Sequence, residues 1–268
     1  MKIRKLNFSI GTSEIGEWIE GNPFKTQLFN SASMSFPIGE AYFIRSVKKI
    51  QELGLITSPE LLDEIAQFSA QEALHSYVHR TFNNRLAEEG LTFSLQKYFE
   101  KKIKIINLIH NAKTQLSITM AYEHLTSALS YANLKYEWGK DIKDENIRKM
   151  WDWHSAEEIE HNAVAYHVYE VVKGGYLRRL YGMVFTLTAF TFDYTVQTMI
   201  NLWKTQSLFK IKTMSGAASA LAGREGIFWI MGKVFIAYLN PWWKPSKYQN
   251  DISIKWLNEH KNAFTVLK

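Results

Sequence analysis

The 268-residue chain contains no cysteine. That absence excludes disulfides, thiolate-bound zinc, iron-sulfur clusters and cysteine nucleophiles together. Proline is scarce, at 5 residues, and alternating polar and apolar runs are nearly missing, so little supports a sheet-based fold. The opening MKIRKLNFSIGTSE lacks the apolar stretch of a cleavable signal. The expected location is therefore the cytoplasm, with membrane association left open. Acidic residues are few in the last third. Residues 171–268 hold 13 Lys and Arg against 4 Asp and Glu, a net of +9 that leaves −3 for residues 1–170. A basic and aromatic tail can bind nucleic acid, but no helix-turn-helix, RNA-binding or OB-type motif accompanies it, so no nucleic-acid partner is expected.

What is present is helical periodicity. A hydrophobic content of 46% supports one sizeable core, and the chain reads as a single all-α domain over residues 1–268. Within it, residues 1–33 read as an irregular or strand-like arm, 34–175 as a four-helix core and 176–268 as an apolar, basic helical region. Pro37 is expected near the start of the first helix, which runs to about Gly54. Thr57-Ser58-Pro59 is a cap followed by proline at the first helical position, and that helix continues towards Gly90. A long helical region from 93 to 136 is expected to break near Asn111, and another runs from Asp144 to Gly174-Gly175.

On this framework lie two Glu-x-x-His turns, Glu72 to His75 and Glu158 to His161, each preceded by a glutamate about one helix hairpin upstream, Glu40 and Glu123. Residues three apart on a helix lie about 60° from each other on one face, so each pair can reach one metal ion. One Glu from each of two helices and a Glu-x-x-His from each of two others is the donor set of ferritin-like dimetal carboxylate sites. His154 shares the stripe of Glu158 and His161, giving His-x-x-x-Glu-x-x-His. Four converging carboxylates repel one another, and two divalent cations would cancel their charge. Mixed nitrogen and oxygen donors suit iron, manganese or zinc. His79 follows His75 by one turn and is a candidate to support a ligand. Glu157 and Glu160 point away from Glu158 and are expected in solvent or behind the ligands. His110, His124, His167 and His260 read as structural or surface residues.

The stretches FPIGEAYFIRSV (36–47), FSAQEALHSYVHRTFN (68–83), AYEHLTSAL (121–129), WDWHSAEEIEHNAVAYHVYE (151–170) and YLNPWWKP (238–245) resemble the bacterial family of predicted metal-dependent hydrolases. The donor pattern is also similar to that of the ferritin-like di-iron oxygenases, particularly p-aminobenzoate N-oxygenase, whose fourth helix carries the same extra histidine. The resemblance implies a ferritin-like helical bundle with additional C-terminal helices. It also implies Glu40, Glu72, His75, Glu123, His154, Glu158 and His161 as metal ligands.

Three functions follow. The first is a dimetal oxygenase with two iron ions, manganese or zinc being alternatives, which uses O2 and an external electron donor to oxidise a small apolar substrate bearing an anionic group. The second is hydrolysis by metal-activated water. The third is a ferroxidase or iron-binding role. Tyr181 to Trp203 has Asp193 as its only charge but holds several threonines and amides, which suits a fifth buried helix better than a membrane span. Asp193 is expected either to orient a ligand histidine or to pair with Arg178 or Arg179. The aromatic stretch 226–243, followed by Lys244 and Lys247, suits a membrane interface or the mouth of an apolar pocket. Peripheral membrane contact and a homodimer are both compatible with the sequence.

Overall fold

The computed structural model describes residues 1–9, 18–245 and 250–267, and Lys247 lies outside them. The protein is all-α apart from one small antiparallel pair, β1 (Arg4–Leu6) with β2 (Phe264–Val266). Four long helices build the centre: α1 (Pro23–Glu52), α2 (Pro59–Glu88), α4 (Ala112–Lys135) and α5 (Glu145–Val171), with α3 (Gln96–Ile109) in the connection between α2 and α4. Then come α6 (Tyr176–Lys204), α7 (Ile211–Ala222), α8 (Ile227–Tyr238) and α9 (Asn250–Glu259).

Local chemistry sets the starts of these helices. The side chains of Asn22, Ser58, Asn111 and Asp144 accept from backbone N–H groups in the first turns of α1, α2, α4 and α5. Each thereby satisfies donors that a helix leaves unpaired at its N-terminus. Pro23 and Pro59 sit at first helical positions, where no N–H is needed. Asn111 is the break expected in the third helical region.

The first helix departs from expectation. It begins at Pro23, so most of the anticipated 1–33 arm is helix or lies outside the described residues, and Pro37 is inside α1 rather than at its start. A proline there removes the hydrogen bond that its own N–H would give to the carbonyl four residues earlier. That carbonyl, Ser33 O, instead accepts from Asn83 Nδ2 of α2 at 2.8 Å. The helix tolerates Pro37 because its neighbour supplies the missing donor.

Helix α1 packs along α2, and α4 along α5, as two hairpins that meet through α2 with α5 and α1 with α4. One apolar core centres on Phe68, Leu116, Ile118, Leu125 and Val168; a second, richer in aromatics, on Trp18, Phe82, Trp151 and Trp153. Helix α6 lies across α4 and α1. Gly182 permits the approach, since a Cβ there would sit 2.5 Å from the backbone oxygen of Ser117 in α4. The 181–203 stretch is thus a helix packed on the bundle. Its polar residues Thr186, Asp193, Gln197, Thr198 and Asn201 face inward together with Gly182, Met183 and Leu202. Among the described residues no helix is long and apolar enough to cross a membrane.

Candidate metal centre

All seven residues expected as metal ligands are buried in the middle of the four long helices. Donor atoms of Glu72, His75, Glu158 and His161 lie within 4.8 Å of one another, as do those of Glu40, His75 and His154. Glu123 joins the first set, 3.9 Å from His161 Nδ1. At the centre, Glu158 Oε1 is approached by three imidazoles: His75 Nδ1 at 3.4 Å, His154 Nε2 at 3.4 Å and His161 Nδ1 at 3.7 Å.

Which nitrogen of each ring faces this centre is decided by what its other nitrogen touches. His75 Nε2 donates to Glu157 Oε2 at 2.9 Å; a carboxylate only accepts, so the proton stays outside and Nδ1 turns inward. His161 Nε2 donates to Gln71 Oε1 at 3.0 Å. The Gln71 amide is oriented in turn by its own donation to Lys2 O at 2.9 Å. For His154 the chain is longer. Asn83 Nδ2 is committed to Ser33 O, so Asn83 Oδ1 accepts from Ser33 Oγ at 2.7 Å. Ser33 Oγ must then accept from His79 Nδ1, 2.8 Å away, which leaves His79 Nε2 to accept from His154 Nδ1 at 3.0 Å. His154 Nε2 is left with a lone pair pointing at Glu158. Pro37, by freeing Ser33 O, sets the far end of this chain.

Electrostatics point the same way. Burial, followed by the nearby Glu72 charge, pushes the Glu40 carboxyl well above its usual range. Burial and the Glu72 and Glu158 charges do the same to Glu123, and Glu72 is also raised, chiefly by burial. Burial works against ionised Glu158 as well, but the hydrogen bond from His75 and the charges of the three histidines outweigh it and hold its pKa below normal. Burial opposes the charged forms of His75 and His161, yet their carboxylate neighbours raise both. Burial lowers His79 well below its normal range and His154 to about 3. Glu40 Oε1, Glu72 Oε2 and both oxygens of Glu123 are buried without a hydrogen-bond donor. Acceptors left unpaired in a dry interior are costly. These converge with the inward nitrogens of three histidines, and a divalent cation that displaces the protons of His75 and His161 satisfies that donor set.

Several supporting residues carried no sequence signal. Arg4, from β1, bridges buried Glu157 at 3.1 Å and Glu160 at 3.0 Å, so Glu160 does not face open solvent and Glu157 sits directly behind His75. Ser76 donates to Glu40 at 2.6 Å and Thr126 to Glu158 at 2.8 Å. His79 does support a candidate ligand, through His154. Asp193 does not: it pairs with Lys102 of α3, not with a histidine, Arg178 or Arg179. Arg178 instead donates to Thr114 and Gly174, and Arg179 to the Tyr238 and Asn240 carbonyls. Of the remaining histidines, His124 is buried against Tyr238 and Trp243, while His110, His167 and His260 contact Tyr181, Glu64 and Trp256 near the surface.

A cavity of about 340 Å³ adjoins the centre. Its inner wall includes His154, Thr126, Phe36 and Trp151; its outer part is framed by α6 and the α7–α8 region. A smaller space of about 50 Å³ reaches Glu40, Tyr122 and the Lys102–Asp193 pair, and Phe36, Thr126 and Tyr194 border both.

Fold and site together define a helical protein with a buried cluster of histidines and glutamates able to hold metal. The chain belongs to the family described as predicted metal-dependent hydrolases, which it matches over residues 2–249. No curated protein and no solved structure is significantly similar to it.

Proposed function

We propose that the protein is a two-metal enzyme acting on an apolar substrate that reaches the centre through the adjoining cavity. The observation that carries this is the convergence of His75, His154 and His161 on one oxygen of Glu158. Glu40, Glu72, His75, Glu123, His154, Glu158 and His161 would together hold the two ions. Bound there, such a pair supplies either a nucleophilic water and Lewis acidity or, with iron, activation of dioxygen. The chain itself orients the three imidazoles, excludes water and offers a wall of Phe36 and Trp151 to the substrate.

Two observations weigh on the reaction. The family's description supports hydrolysis, and it is the only comparison that bears on chemistry. The donor set favours oxidation: carboxylates and imidazoles on four facing helices are the arrangement of dioxygen-using dimetal proteins. Among the described residues the cavity wall also includes no Lys or Arg to receive a developing oxyanion. We favour oxidation on these grounds. The test is turnover of a panel of apolar substrates and esters by iron-loaded and zinc-loaded protein, with and without air, in the presence of a chemical electron donor that supplies the two electrons that reduction of one oxygen atom to water requires. Oxidation predicts oxygen uptake coupled to product, with iron only. Turnover of esters by the zinc form in the absence of air would establish hydrolysis instead.

A further inference from the structure

We infer that the 340 Å³ cavity binds an uncharged, mainly hydrocarbon molecule, with one end beside His154 and Thr126. This rests on the two-metal reading for what happens at that end, but not for the binding itself. The volume corresponds to on the order of ten or more non-hydrogen atoms, at roughly 30 Å³ for each water-sized volume. The wall is formed mostly by apolar side chains, among them Phe29, Phe36, Leu129, Phe190, Phe228 and Met231, and among the described residues no Lys, Arg, Asp or Glu lines it. Several of its polar groups are committed elsewhere, while Trp151 Nε1 and Asn133 Oδ1 are buried without a partner. Thr126 donates to Glu158, Tyr194 pairs with Ser35, Thr198 donates to Ser31, and the Asn133 amide donates to Ser155 and Asp152. An anionic group away from the metal end would lose its hydration and gain no cation from the wall, a cost that apolar side chains cannot offset. The anionic substrate expected from the basic tail therefore does not suit this cavity.

Binding of n-alcohols from hexanol to dodecanol, and of decanoate at pH 8, to both metal-free and metal-loaded protein tests this by calorimetry. Affinity should rise about fourfold per methylene, from roughly 0.8 kcal/mol per buried CH2, then level off once the cavity is full. Decanoate should bind at least tenfold more weakly than decanol. Ala32→Phe, which fills the cavity from α1, should cost decanol at least tenfold while metal content is retained. Thr195→Lys, at the exposed rim on α6, should gain decanoate binding. Decanoate binding as tight as decanol, or no alcohol binding to either form, overturns the inference. The metal stoichiometry of the same samples judges the two-metal reading separately.

A second inference rests on a different observation. Helix α6 turns an apolar stripe outward: Leu177, Val184, Phe192, Met199 and Trp203 are each between 46% and 79% exposed. Phe209, Ile211, Trp229 and Trp242 in the following segment are also exposed, and residues 204–244 hold six Lys and Arg against one acid, Glu225. Exposed aromatics interspersed with cations match an anionic bilayer surface, and we propose that surface as the occupant. The protein should pellet with vesicles of phosphatidylglycerol and phosphatidylcholine, but not of phosphatidylcholine alone, and release at high salt. Trp203→Ser with Ile211→Ser should weaken binding at least tenfold. Failure to pellet with anionic vesicles overturns the proposal, as does a dimer in solution that the same double variant abolishes.

Discussion

Glu157 shows how one residue can govern the centre without facing it. It is buried, touches His75 Nε2 at 2.9 Å and is itself held by Arg4 at 3.1 Å. Glu157→Gln keeps the shape but can offer His75 an N–H where it needs an acceptor, so the ring is no longer fixed with Nδ1 inward. Partners behind metal-bound histidines typically contribute 10- to 100-fold in affinity. Glu157→Gln should therefore weaken metal binding by about that factor, as measured by competition with a chelator. Unchanged affinity would mean that Glu157 serves the fold alone. The sequence allowed Glu157 a place behind the ligands but hid its importance, because its partner Arg4 is 153 positions away and approaches only through β1.

Among the helices, the pairing of α1 with α2 links a backbone defect to the site. Asn83 supplies the donor that Pro37 removes and, through Ser33 and His79, fixes His154. Asn83→Leu leaves the carbonyl of buried Ser33 unpaired and should lower stability by about 1–3 kcal/mol in chemical denaturation. It should also weaken metal binding, which a purely structural asparagine would not. Five of the candidate donors were legible because helical spacing places Glu72 with His75, and His154 with Glu158 and His161, on one stripe each; Glu40 and Glu123 came from the hairpin separation and the family resemblance, and the N-caps and the break at Asn111 were legible because the first turns of helices select particular side chains. The start of α1 was not: Pro37 looks like a beginning until Asn83, 46 residues later, is seen to repair it. Asp193 was misplaced for the same reason, since its partner Lys102 lies on α3 and only tertiary packing pairs them.

At the scale of the molecule, the bundle closes around charges that it cannot hold alone. In metal-free protein Glu40, Glu72 and Glu123 have pKa values above 4.5, and His75 and His161 above 6.5, so the folded state keeps protons that the unfolded chain gives up. Their stabilisation is complete at low pH and lost as pH rises. His79 and His154, held below 6.5, act in the opposite sense, but only beneath that value. Above about pH 6.5 the metal-free protein should therefore lose stability with rising pH, by about 1 kcal/mol per unit for each group still titrating. The loaded protein should not, because metal displaces those protons. Thermal melts of chelated and reloaded samples across pH 6.5–8.5 check this. The most direct test of the central claim is metal analysis of purified protein beside Glu158→Ala. Two ions per chain, with both lost when Glu158 is removed, is the predicted result; one ion or none in the native protein, or two retained by Glu158→Ala, would contradict it.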